Sequence, residues 1–474
     1  MKTIFEIARK PRVQSLLLAA VIGLLATGCK TYSQKNQVIQ YWHQGNLPGA
    51  VAEANKMAGK NAGNKDAVIW HLEQGAVLRA NGQFKDSNQA FDAAQAKMND
   101  YAQKAKVRLG QETGALLSNQ ANLDYEGRAY DGIMLNTYKA LNYLALGEPD
   151  KARPELIRAY QRQQDAVEDN KKRIQKVQDE AAQNKDSAAI NRAQQDPGLQ
   201  SKIQGVYANL DHLQAYSAYV NPFTVYLDGL FFMADAADGS DLERARKSFE
   251  RVVAFAPDNP YVKEDLAMAD GLLNGQPLAP TTFVIFETGC APVRDQIRID
   301  IPIIVTKVSY IGAAFPTLKP QGGYVPYLTV KANGASATTA LVSDMDSVIG
   351  LDFKNEMPVV ITKTIAATVV KGVAAYAVNQ AAGQQNDWAG LLAQIGTAIY
   401  QASVNIADER TWTTLPKQFQ VCHLPTPPDR KIELETPGGG LKITVTIAAG
   451  TVNLVYVKSI DAIGPLLVSQ MKLK

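Results

Sequence analysis

The spacing of apolar positions along the chain changes once, near residue 280. From about residue 37 to 275 small and apolar residues recur three and four apart, the period of an amphipathic helix. Beyond residue 281 the period falls to two. Ile297, Ile299, Ile301 and Ile303 alternate with Arg298, Asp300 and Pro302, which predicts a half-buried strand, with Pro302 placing it at a sheet edge. Ile443, Val445 and Ile447 alternate with Thr444 and Thr446, and Gly450-Thr451 then turns the chain into 452–457, the pattern of a hairpin. Stretches 282–286, 327–330 and 419–424 read as further strands. Between the two regimes, 274–280 holds Gly275, Pro277 and Pro280, residues that stop a helix and suit a linker. The expectation is a multidomain chain: an all-α region over 37–275, then a β-rich, sandwich-like domain over 281–474.

A helical insertion interrupts the strands at about 358–406. Pro358 suits the first position of a helix, 359–380 is rich in Ala and Val, and Asp387 suits the cap of a second helix striped by Leu392, Ile395, Ile399 and Ala402. Lys363 and Lys371 sit inside the first of these, and a mid-membrane Lys costs about 2.5–3.5 kcal/mol on insertion scales. A helical hairpin packed on the sheet is therefore favoured over a membrane span.

Within the α region, Gly75, Leu78, Gly82, Phe84, Phe91 and Ala94 fall at offsets 0, 3, 7, 9, 16 and 19. This spacing resembles the tetratricopeptide repeat (TPR), in which a small residue lies where two antiparallel helices touch and a glycine turns the chain between them. Ala140, Tyr143, Gly147, Ala152, Leu156 and Ala159 follow a similar scheme, with 147–150 as the turn. Gly229 and Phe232 open a third unit, closed by Ala245, Phe249, Val252 and Pro257 with an insertion at 237–240, and 258–260 restarts a capping helix to about Leu273. A weaker unit spans 38–60, turning at 45–48. Units begin 65 and then 89 residues apart, so the array is degenerate. The stretch 155–194 reads as one long charge-rich helix with a solvated face, ended by Pro197-Gly198 and followed by a helix carrying Tyr207, Tyr216 and Tyr219. Stacked helix pairs bind peptides or partner elements, so this region predicts recognition.

The N-terminus carries an export pattern. A basic segment precedes an apolar run over 16–26, eleven residues that are too few to cross a hydrocarbon core of about 30 Å. The run ends in Leu25-Ala26-Thr27-Gly28-Cys29, which resembles the lipobox of bacterial lipoproteins, departing from the pattern at Ala26, where Leu is commoner. That resemblance implies a signal peptide over 1–28, a covalent lipid on Cys29 and a short polar tether over 29–36. Two or three acyl chains, at about 0.8 kcal/mol per buried CH₂, anchor a protein without any spanning helix. Lys30, where an Asp would imply inner-membrane retention, implies sorting to the outer membrane, facing the periplasm.

Charge supports this division. The chain has 49 Lys and Arg against 46 Asp and Glu, and residues 1–28 hold Lys2, Arg9, Lys10 and Arg12 against Glu6 alone. Forty-five of each sign remain, so the +3 belongs to the leader and gives no ground for expecting a nucleic-acid partner.

Little in the sequence points to catalysis. His43, His71, His212 and His423 have no metal-pair spacing, no nucleophile elbow or Walker loop occurs, and 438–440 precedes a strand rather than a helix. Asp344-x-Asp346 lacks the further oxygens of a calcium loop and reads as a capped turn. With Cys29 acylated, Cys290 and Cys422 remain as a candidate disulfide, closing a loop of about 130 residues worth up to ~4–5 kcal/mol, or as two buried thiols.

Glu287-Thr288-Gly289-Cys290-Ala291-Pro292 and Asp408-Glu409-Arg410-Thr411-Trp412-Thr413-Thr414-Leu415-Pro416 resemble two segments of uncharacterised TPR-containing bacterial outer-membrane lipoproteins. Members are often encoded beside lipoproteins similar to activators of penicillin-binding proteins or to the curli secretion lipoprotein. The resemblance implies a non-enzymatic envelope scaffold with no cofactor beyond the lipid, whose partner is a periplasmic or outer-membrane protein such as another lipoprotein. Two alternatives stand beside it: an envelope enzyme acting on peptidoglycan or another polymer through paired carboxylates, and an accessory of a secretion or surface-fibre system.

Overall fold

The structure, a computed structural model, describes residues 32–108, 120–213, 216–302, 310–381 and 406–474. Cys29 and Lys30 lie outside the described residues, as do the expected signal peptide over 1–28 and the second helix expected from Asp387. Ser33–Lys474 form one compact unit.

The α region is built from helix pairs. These are α1 (Gln37–His43) with α2 (Leu47–Asn61), α3 (Ala67–Ala80) with α4 (Phe84–Arg108), α5 (Ala129–Ala145) with α6 (Pro149–Gln183), and α9 (Pro222–Ala234) with α10 (Gly239–Phe255). α7 (Ser187–Gln194) and α8 (Pro197–Tyr207) lie between the third and fourth pairs, and α11 (Pro260–Leu273) closes the region. Local chemistry sets the ends. Asn46, Asp196, Asn221, Asp238 and Asn259 each accept a backbone N–H of the first turn, and Gly82 and Gly147 take φ of +75° and +72° in turns between helices. The small-to-large spacing has a steric basis: a Cβ on Gly75 would lie 2.4 Å from Phe91, and one on Gly229 would lie 2.9 Å from Phe249.

Two helix expectations need correction. The long charged helix breaks after Gln183, where Asn184–Asp186 separate it from α7, and Pro197 starts α8 instead of ending its predecessor. Tyr216 and Tyr219 lie outside any helix, and Tyr219 has φ of +61°.

The β region follows directly. β1 (Thr281–Thr288) is central in a five-stranded sheet with β10 (Val452–Ser459) parallel on one side and β7 (Gln418–Pro425) antiparallel on the other; β11 (Leu467–Lys472) and β6 (Ala340–Asp344) form its edges. Among the described residues β2 (Val293–Pro302) pairs only with β3 (Tyr310–Lys319), so Pro302 does sit on an edge strand. A four-stranded sheet has the order β5-β4-β8-β9, from Ala335–Thr338, Thr329–Ala332, Lys431–Glu435 and Lys442–Thr446. The hairpin expected around Gly450-Thr451 does not form, because β9 and β10 belong to different sheets.

Alternation along the central strands sorts side chains between two cores. Val284 and Phe286 of β1, Cys422 and Leu424 of β7, and Val455 and Val457 of β10 enter one core with Val330, Ile432, Leu434 and Val445 of the four-stranded sheet. The opposite face receives the α region: Phe419 stacks on Phe223 of α9 at 3.8 Å, and His423 meets Tyr261 of α11 at 5.3 Å. The five-stranded sheet is thus the middle layer. All eight residues of β1 and of β10 are buried, as a strand covered on both faces requires. The expected linker joins the two regions without separating them.

α12 (Met345–Ala381) begins thirteen residues before the predicted start, and Pro358 lies inside it. Asp344 caps it through the Asp346 N–H at 2.9 Å, which makes Asp344-x-Asp346 the capped turn. An internal proline removes one helical hydrogen bond. Phe353, Met357 and Val360 hold both sides of it in one cluster, and Asn170 Nδ2 donates to the Asn355 carbonyl at 3.0 Å. Farther along, Val359, Ile365, Ala366, Val369 and Val370 pack with Ile299 and Ile301 of β2, Phe315 of β3 and Val177 of α6. Among the described residues no helix is long and apolar enough to cross a membrane.

Candidate functional site

Both distinctive sequence segments lie where the α region meets the middle sheet, and each places a buried charge there. In 408–416 the charge is Arg410, 2% exposed. Its guanidinium donates to Asp66 Oδ1 at 3.0 Å, to both oxygens of Asp408 at 2.8 and 3.1 Å, and to the carbonyls of Leu123 and Gln120 at 2.9 and 3.0 Å. Glu73 of α3 accepts the Thr413 N–H at 2.7 Å and the Thr414 hydroxyl at 2.7 Å, and Trp412 meets Phe91 and Tyr138 edge-on at 5.8 Å. This segment is a clamp binding α3, the 120–123 turn and α4 to the β region.

The clamp continues into further ion pairs. Arg128, just before α5, reaches Asp408 at 3.6 Å and Glu356 of α12 at 2.7 Å, and Arg294 of β2 also bonds Glu356 at 2.6 Å. Three guanidinia thus meet three carboxylates. Burial pushes the Glu356 carboxyl up, but Arg128 and Arg294 outweigh it and hold it well below the ordinary range. Asp352, one turn earlier, is pushed up to about 7 by burial and by Glu356. This pair borders a cleft of about 330 Å³. Two carboxyls titrating far apart suit acid–base work, but both Glu356 oxygens are committed to arginines.

In 287–292 the charge is Glu287 of β1, 1% exposed. Tyr138 of α5 donates to Oε1 at 2.9 Å, Lys458 of β10 pairs with the same oxygen, and Tyr456 of β10 donates to Oε2. Burial raises this carboxyl, but Lys458, Tyr456 and the charge of Arg79 overcome it, and its net shift is downward. The parallel register sets Lys458 opposite Glu287. Beside them Arg79 of α3 lies over the Tyr456 ring at 4.6 Å and donates to Asn142 Oδ1 at 2.7 Å. The cluster borders a cavity of about 380 Å³, whose other walls include Leu47, Ala76, Phe84 and Leu467.

The candidate disulfide does not form: Cys290 and Cys422 are free and buried. Cys422 lies opposite Val284 in the register, and Cys290 is six residues farther along, about 20 Å at strand rise, well beyond bridging distance. Burial pushes the Cys290 thiol up to about 11 and Cys422 higher still, so both are held as thiols. Among the described residues no group of His, Cys, Asp and Glu is arranged to hold a metal ion.

The sequence signalled both segments as distinctive but gave no partner for either. Tyr138, Arg79, Asp66 and Glu73 were not singled out; the signal for Tyr138, Arg79 and Glu73 was a polar residue on an otherwise buried helix face, and Asp66 stands just before α3. No family model, curated protein or solved structure matches the chain.

Proposed function

We propose that this protein is an outer-membrane lipoprotein, anchored by acyl chains on Cys29 and facing the periplasm, that acts as a protein-interaction scaffold in envelope assembly or maintenance. The observation that carries the anchor is Leu25-Ala26-Thr27-Gly28-Cys29 at the end of an apolar run too short to span. The folded body begins close behind it: Gln34 Nε2 donates to the carbonyls of Arg294 and Glu409, both at 2.7 Å. A tether this short would hold the body against the membrane. The scaffold role is supported by the helix pairs, whose crossings at Gly75 with Phe91 and Gly229 with Phe249 fit degenerate TPR-like repeats. The partner is another periplasmic or outer-membrane protein.

Replacing Cys29 by Ser tests the anchor. The variant is expected in the soluble periplasmic fraction; recovery with the outer membrane, as for the unaltered chain, overturns the proposal.

A further inference from the structure

The cluster around Glu287 differs from the clamp in its balance, because its cations outnumber its carboxylates. Arg79 and Lys458 are each 7% exposed, and among the described residues lining the cavity Glu287 is the one carboxylate. Lys458 is paired with it. The partners of Arg79 are neutral, namely Asn142 Oδ1 and the Tyr456 side chain, with the Tyr138 and Phe84 rings at 5.3 and 5.9 Å. Aromatic faces offset part of the desolvation of a guanidinium, but Arg79 shares the one carboxylate, Glu287, with Lys458, and a buried cation without an anion of its own remains costly. This one borders a cavity within the size range that holds small organic molecules.

We propose that the cavity is a binding site for a small amphipathic monocarboxylate, its carboxylate pairing with Arg79 and its apolar body lying against Leu47, Ala76, Phe84 and Leu467. A single negative charge cancels the single excess cation, whereas a phosphate dianion or a dicarboxylate would place a second anion beside Glu287. The guanidinium fork matches a carboxylate in two parallel bonds. A cationic ligand has no anion to meet, since both oxygens of Glu287 already accept from Tyr138, Tyr456 and Lys458.

Calorimetric titration of the full chain with hexanoate and with 4-phenylbutyrate tests this, with 4-phenylbutanol as the neutral analogue. Trp42 lies 4.9 Å from the Lys458 ammonium and provides a fluorescence readout. Saturable one-site binding is expected for at least one acid, at least tenfold weaker for the alcohol and for Arg79→Met. Ala76→Phe places a ring in the cavity and should abolish binding while the protein still melts cooperatively. The proposal is overturned if neither acid saturates, if acid and alcohol bind alike, or if Arg79→Met binds the acid as well as the unaltered chain. Should Arg79→Met fail to fold, undiminished binding by a folded Ala76→Phe variant overturns it equally.

Discussion

The clamp around Arg410 and the cluster around Glu287 occupy the same layer boundary, yet they solve the burial of charge in opposite ways. In the clamp, Arg128, Arg294 and Arg410 are matched by Asp66, Asp408 and Glu356, and further donors of Arg410 reach the carbonyls of Leu123 and Gln120. Around Glu287 two cations meet one carboxylate beside an open cavity. Buried ions are tolerated when paired and hydrogen-bonded, and replacing one by an apolar side chain is harmful only where it strands a partner. The contrast teaches that the first cluster serves the join between layers, while the second holds an unspent charge.

The largest expected effect comes from Arg410→Met, which removes the guanidinium that Asp66 and Asp408 share, leaves Asp408 with Arg128 at 3.6 Å, and should cost about 3–5 kcal/mol in denaturant unfolding. Arg410→Lys should recover little, because an ammonium cannot reproduce the fork of donors. A stability within error of the unaltered chain would break the comparison at its stronger end.

Next comes Asp352, at the rim of the clamp. Its carboxyl titrates at about 7 in the native state against 3.8 ordinarily. Between those values the native chain keeps a proton that the unfolded chain has lost, so stability falls as pH rises through this window, and the penalty is complete above it. The penalty is on the order of 4 kcal/mol at most. Asp352→Asn should therefore raise the melting temperature at pH 8 and leave it unchanged near pH 4. An equal gain at both values would show that the carboxylate charge is not what costs stability.

The smallest expected effect is the stability of Arg79→Met, a loss of about 1–3 kcal/mol, because the substitution strands the Asn142 Oδ1 acceptor but no carboxylate. A loss as large as that of Arg410→Met, measured by the same denaturant titration, would make the two clusters alike.

The sequence foretold these sites unevenly, for reasons visible in particular residues. Helix pairs and turns were legible around Gly82, Gly147 and Asn259 because glycine turns and caps act over three or four residues. Strands β1 and β7 were legible from their apolar runs. The join at Gly450 was misread as a hairpin because alternation marks a strand without naming its neighbour, and β10 pairs in parallel with a strand about 170 residues earlier. Pro358 was misread because a proline suits a helix start locally, whereas the Asn170 bond from α6 and the packing of Phe353, Met357 and Val360 with Leu210 carry the helix through it.

By itself the sequence determined where the helical region gives way to strands, where several turns and caps fall, and that the charge excess lies within residues 1–28, since each of these depends on neighbouring residues. Only the tertiary structure decided which charges meet. Arg410 finds Asp66 across 344 positions and Glu287 finds Lys458 across 171, distances at which sequence pattern carries no information about contact. It also decided that one of these clusters matches its guanidinia with carboxylates while the other leaves Arg79 facing a cavity, because the balance of a buried cluster is fixed by how whole layers stack.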